Sequence, residues 1–166
     1  MLDAMTSTKK RKEIRGAKDP HQEYLDSVYE LPDGRVAFPA EGFKACAVRG
    51  GKAAGMVMTD LRSSFFIVGV YSPRDGRELV PLIPKEGFKV ESREDVVRLP
   101  NGSSDLRYRA QITDWTSEII VDYNASVISP EQIVNAFEAG GFGTGIGEWR
   151  PERSGSFGRF HVVTSE

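Results

Sequence analysis

The chain has one cysteine, Cys46, so no internal disulfide can form. Cys46 sits in the apolar run FKACAV and reads as a buried free thiol rather than a nucleophile. The two histidines, His21 and His161, lie far apart and no local zinc-ligand motif accompanies them. Asp60, Asp114 and Asp122 form no evident catalytic pair, and Asp60 reads as a cap or loop acceptor. No apolar run of about 18 residues occurs, and no apolar signal region follows the basic amino-terminal stretch. An intracellular, cytoplasmic protein without a membrane partner is expected. One charge sign is also missing in excess. A net charge of -2 argues against strong nonspecific duplex binding, which runs on phosphate neutralisation, yet is compatible with a local basic groove.

What the chain has in abundance is glycine, concentrated near one end. Gly140 to Phe160, GGFGTGIGEWRPERSGSFGRF, holds seven glycines together with Arg150, Arg153 and Arg159. Glycine loses the most backbone entropy on ordering, so this segment reads as a long turn system whose backbone approaches something closely. No Lys–Ser/Thr pair follows Gly143–Gly147, which excludes a P-loop. The run follows a helix rather than a first strand, which excludes a dinucleotide fingerprint. No cofactor is expected.

Size and patterning set the frame. A chain of 166 residues predicts one domain. Residues 1–22 carry Lys9, Lys10, Arg11, Lys12, Arg15 and Lys18 with little apolar surface, and read as a disordered basic tail. Pro32-Asp33-Gly34 between Val28 and Val36 predicts a hairpin turn. A helix is expected from Pro39, burying Phe43, Cys46 and Ala47, and ending or broken at Gly50–Gly51 or Gly55. FFIVGVY at 65–71 is a strand. Residues 79–83 form a short one, confined to an edge by Pro81 and Pro84.

The second half continues in the same manner. Residues 85–104 are a charged loop or inserted ribbon. Residues 108–123 return to strand, with Trp115 at a turn or bulge. The edge of 106–112 is left to be completed by 85–104 or by another subunit. Ser129, Pro130 and Gln132 spell a capping box, starting a helix that Gly140–Gly141 stops. Residues 160–164 alternate as a last strand. The resulting order predicts an α+β, ferredoxin-like βαββαβ domain over 23–166: an antiparallel sheet, an insertion at about 72–104, and the glycine-rich loop before the last strand.

At that loop, Gly147-Glu148-Trp149-Arg150 and Gly155, Gly158, Arg159 and Phe160 resemble the glycine-rich loop of the RAMP superfamily, the RNA-binding proteins of CRISPR effector complexes. Residues 24–164, with GFKACAV and GIGEWRPERSGSFGRF, also resemble small uncharacterised proteins of tailed phages and prophages. The first resemblance implies RNA binding through the loop; the second implies a viral source and host-cell cytoplasm, without an activity.

The chemistry follows these residues. Arg150, Arg153 and Arg159 can pair with phosphates. Trp149 and Phe157 can stack on bases, as can Tyr108. Gly145, Gly147, Gly155 and Gly158 let the backbone come close. Single-stranded RNA or DNA is the expected partner of a non-enzymatic binding protein, with self-association to spread a small basic surface over many subunits. Against it, Glu148 and Glu152 repel phosphate, and Arg150 and Arg159 can pair with them instead. The alternative is a protein-interaction module engaging a host defence or assembly partner, supported by Glu131, Glu138, Glu148 and Glu152. A metal-independent nuclease is a third class.

Overall fold

The computed structural model describes residues 17–163. It corrects the ferredoxin-like expectation: the described residues form four α-helices and eight strands divided among three sheets, not two helices on one sheet.

Helix α1 (Pro20–Ser27) is capped by the Asp19 side chain. It begins within the stretch expected to be a tail, of which residues 1–16 lie outside the described residues. Strands β1 (Tyr29–Glu30) and β2 (Val36–Pro39) pair around the expected Pro-Asp-Gly turn, where Gly34 takes φ +87°. Helix α2 (Ala40–Ala53) follows directly. Gly50–Gly51 lie inside it and do not break it; it ends at Ala53, just before Gly55 (φ +88°), the other expected stop. A short helix, α3 (Met58–Ser64), had no counterpart in the sequence reading.

The expected strand at 65–71 changes sheet midway. Strand β3 (Phe65–Val68) pairs antiparallel with β8 (Ile120–Tyr123), whereas β4 (Val70–Ser72) pairs with β5 (Arg77–Pro81). Strand β5 also pairs with β2 and so is an inner strand of the β1-β2-β5-β4 sheet, but its β4 ladder covers only Arg77–Leu79, and Pro81 is paired on the β2 side alone.

Of the two readings of 85–104, the inserted ribbon holds and the loop does not. Strand β6 (Ile83–Arg98) and β7 (Ser104–Thr116) build a two-stranded arm in register from Lys89–Thr113 to Arg98–Ser104. The register shifts between Pro84 and Lys89, opposite Asp114 at φ 53°, which is the irregularity expected beside Trp115.

Helix α4 (Pro130–Gly143) carries the expected capping box at Ser129 and Gln132. It runs through Gly140–Gly141 rather than stopping there, because those glycines are the sites where the helix meets its neighbours. Residues 160–163 form no strand.

The core lies between α2 and α4. Phe43, Cys46 and Ala47 of α2 and Ile133, Ala136 and Phe137 of α4 are buried with Leu61, Phe65 and Ile67. The helices touch backbone to backbone at Gly50 and Gly140: a Cβ on Gly50 would strike Ala136 and Gly140, and one on Gly140 would strike the Cys46 carbonyl. Among the described residues no helix is long and apolar enough to cross a membrane.

Candidate functional site: the glycine-rich loop and the arm it supports

The backbone that the glycine-rich loop approaches is largely its own. The N–H groups of Ile146, Glu152, Arg153, Ser154, Gly155 and Phe157 donate to carbonyls of residues 144–158, and Phe160 donates to Gly141. A Cβ on Gly155 would fall onto the Trp149 carbonyl, and one on Gly158, at φ +69°, onto that of Ile146. Much of the glycine content thus serves close folding of 144–160 on itself. Trp149 (φ 57°) and Ser154 (φ 63°) share the left-handed backbone, and Pro151–Arg153 makes a single 3-10 turn. Donors committed to carbonyls within the loop are not available to a phosphate.

The expected site residues end up in different roles. Arg150 donates to Glu152 at 2.9 Å and to the Gly147 carbonyl at 2.9 Å. Glu152 also takes Arg49 of α2 at 2.6 Å, tying the loop to the core helix. Arg159 lies over the exposed ring of Phe142, 5.1 Å from its centroid, and not on a glutamate. Arg153 has no ion-pair partner among the described residues. Trp149 and Phe157 are each 44% exposed. Gly145 and Gly147 take positive φ where the chain turns out of α4. Of the three arginines, Arg150 is ion-paired, Arg159 is stacked, and Arg153 has no ion-pair partner among the described residues.

Two contacts carry the loop's influence outward, and both go to the arm. Arg93 of β6 lies over Phe157, 4.5 Å from the ring centroid, and Arg109 of β7 donates to Glu148 at 3.3 Å. Arg93 and Arg109 face each other across the ladder. Like charges directly opposite destabilise a strand pair. The loop relieves this one by giving each arginine a counterpart, an aromatic face and a carboxylate; Asp95 adds a 2.8 Å ion pair to Arg93. This buttress was missed in the sequence because its signal needs the cross-strand register, which only the fold supplies.

The arm has a second support on its β7 edge. Tyr108 and Ala110 turn their N–H groups away from β6, where Glu23 and the Ser27 hydroxyl of α1 accept them. Lys18 donates to Asp105 at 2.5 Å and to the Leu106 carbonyl. Residues 106, 108 and 110 alternate as the outward-facing groups of an edge strand must, so α1 covers that edge with side chains. The Lys18 hydrogen bond holds the Asp105 carboxyl below its ordinary range. At the root, Ile112 and Trp115 pack on the core, with Trp115 at 6.3 Å from Phe43, ring to ring.

Near the end of the arm, whose ladder runs on to Arg98–Ser104, Val96 and Leu106 pair across the strands with side chains 63% and 41% exposed. Elsewhere, a cleft of about 350 Å³ opens beside β3, lined by Lys44, Phe66, Arg77 and Glu78, none of them from the loop. Burial pushes the Cys46 thiol up to about 12, which keeps it protonated and unreactive. No group of three or more metal-ligating side chains occurs among the described residues. The chain matches no family model, no curated protein and no solved structure.

Proposed function

We propose that this protein is a protein–protein assembly module, and that the β6–β7 arm engages the partner. The observation that carries it is the exposed Val96–Leu106 pair near the end of an arm held in place by core, helix and loop. Three separate supports hold a ribbon that would be marginal alone, and the exposed faces of Val96 and Leu106 leave apolar surface for a partner to cover. The nucleic-acid reading has less behind it, since Arg150 is engaged by Glu152 and the Gly147 carbonyl and Arg159 is stacked on Phe142.

A photoreactive benzoylphenylalanine in place of Val96, with the same group at exposed Lys52 of α2 as control, tests the arm in expressing cells. Irradiation is expected to give discrete heavier species from position 96 and none from position 52. Equal yields from both positions, or no heavier species from 96, would remove the arm from the interaction. Labelled single-stranded RNA and DNA titrated against R153A and R159A test the other reading, which needs a loss of affinity in both variants.

A further inference from the structure

We infer that two copies of this chain pair antiparallel along the open backbone edge of β6, about a twofold axis at Val96; this rests on the assembly reading above. The two edges of the arm differ. On β7, the N–H groups of Tyr108 and Ala110 point away from β6 and are taken by α1. Their ladder partners are Glu94 and Ser92. Where two opposed residues exchange no hydrogen bonds, both turn their backbone groups outward. Ser92 and Glu94, and by alternation Val96 and Arg98, therefore present N–H and C=O groups along the outer edge of β6. The Leu99–Ser103 bond at the hairpin end agrees, since the odd positions of β6 then bond inward. Strand β6 pairs with β7 alone. Tyr24 reaches the Val90 carbonyl at 3.4 Å, nearer the root.

The charges along this edge match their own reverse. Glu94 lies two residues before Val96 and Arg98 two residues after it, all on one face. With Val96 opposite Val96 of the other copy, each Glu94 comes opposite an Arg98. Neither has an ion-pair partner among the described residues, and within the chain they face Tyr108 and Ser104. Between the two charge pairs runs one apolar row: Leu106 and Val96 of one copy, then Val96 and Leu106 of the other. On the opposite face Asp95 meets Val97 and Arg93 meets Leu99. Asp95 is already held by Arg93, and Arg93 lies over Phe157. No like charges then stand directly opposite.

Other registers do worse. Centred on Glu94 or Asp95, the pair sets two carboxylates face to face. Centred on Val97, it makes no charge pair. Centred on Ser92, it opposes Glu91 to an Arg93 that Asp95 already holds, and leaves Val96 beyond the regular ladder. Charges of one sign guard an edge strand against copies of itself; this arrangement attracts the copy instead. The contact is isologous and closes at two chains. Its product is a four-stranded β7–β6–β6–β7 sheet, more stable than either ribbon, with α1 on both outer edges.

Analytical ultracentrifugation over a concentration series, with native mass spectrometry, tests this on the wild type, Glu94→Arg, Arg98→Glu, the double variant, and an equimolar mixture of the single variants. The wild type is expected to be dimeric. Each single variant places like charges opposite each other twice and should be monomeric. The mixture should give a one-to-one heterodimer and the double variant a homodimer, because both restore a carboxylate opposite each arginine. Circular dichroism verifies folding. Should one single variant misfold, Val96→Asp takes its place and must be monomeric. A wild type that is monomeric at every concentration, single variants that still dimerise, or failure of either rescue would overturn the pairing. If the photoreactive group at position 96 captures a different protein while the wild type stays monomeric, self-pairing fails and the assembly reading stands. If it captures nothing, both fail.

Discussion

Helices α2 and α4 are two versions of one design, set ninety positions apart. Each has fourteen residues, and Gly50 and Gly51 in the first correspond to Gly140 and Gly141 in the second. Gly55 and Gly145 follow each helix at the same distance, with φ +88° and +69°. The crossing is reciprocal: Gly50 sits against Ala136 and Gly140, and Gly140 sits against Cys46, the counterpart of Ala136. The difference lies in what comes next. After α2 the chain forms α3, whose Leu61 side chain covers Gly51. After α4 it forms the glycine-rich loop, whose Phe160 backbone covers Gly141. Side chains close one junction and backbone closes the other, so the same glycines tolerate different changes.

The largest effect is expected where the halves are most alike. Gly50→Val and Gly140→Val each drive side-chain atoms into the opposing helix backbone, which cannot move aside as a flexible side chain can. Each should cost more than about 4 kcal/mol in urea denaturation, or prevent folding. If either variant kept the wild-type midpoint, the crossing at these glycines would be wrong.

Next comes the place where the counterparts differ chemically, Cys46 against Ala136. The folded thiol is pushed up to about 12 from an ordinary 9.0, chiefly by burial. A raised pKa on an acid that must stay neutral inside means full stability below the unfolded value. Stability then declines as pH climbs from about 9 toward 12, since only the unfolded chain ionises there. At about pH 10.5 the loss should reach about 2 kcal/mol relative to neutral pH. Cys46→Ala, which copies Ala136, should abolish this component. Denaturation of both proteins at several pH values decides it, and parallel curves would mean that the thiol is not shielded.

Gly51→Ala and Gly141→Ala separate the two junctions directly. At Gly51 the new methyl meets the far end of Leu61, which can rotate, so a loss of about 1 kcal/mol is expected. At Gly141 it meets the Phe160 carbonyl as well as the ring, and a loss of about 2–3 kcal/mol is expected. Equal losses would erase the distinction between side-chain and backbone closure.

This contrast also marks what was legible beforehand. The Ser129 capping box, the Pro-Asp-Gly turn and the buried face of α2 are local signals, and each appears where the residues place it. Completion of the 106–112 edge by the 85–104 stretch was also readable, from an edge without protecting prolines. The arm's extent was not, since Glu91, Arg93 and Asp95 on one face and Ser92 and Glu94 on the other leave no two-residue apolar alternation. Helix α1 buries no residue and draws its place from the β7 edge it covers, so its polar sequence looks like tail. The change of sheet between β3 and β4 is tertiary and overrides one continuous strand pattern. For the loop, a glycine-rich run packed on its own carbonyls has the same composition as one packed on a phosphate. The hydrogen bonds from loop N–H groups to carbonyls of 144–158 are what the fold adds to that composition.

The smallest effect has the opposite sign. Gly143 closes α4 at the position that Ala53 occupies in α2. A Cβ there meets nothing, and its φ lies outside the left-handed region. Glycine in a helix costs about 0.5–1 kcal/mol relative to alanine through the freedom it has when unfolded. Gly143→Ala should therefore stabilise the protein, by somewhat less than that range because the position is the last of its helix. Gly145→Ala, two residues on, should destabilise it, since its φ is +69° and Pro151 crowds the site. Thermal melts of the two variants beside the wild type should move in opposite directions. A destabilised Gly143→Ala would mean that α4 ends earlier, near Gly140–Gly141, and that the match to α2 stops short of its last turn.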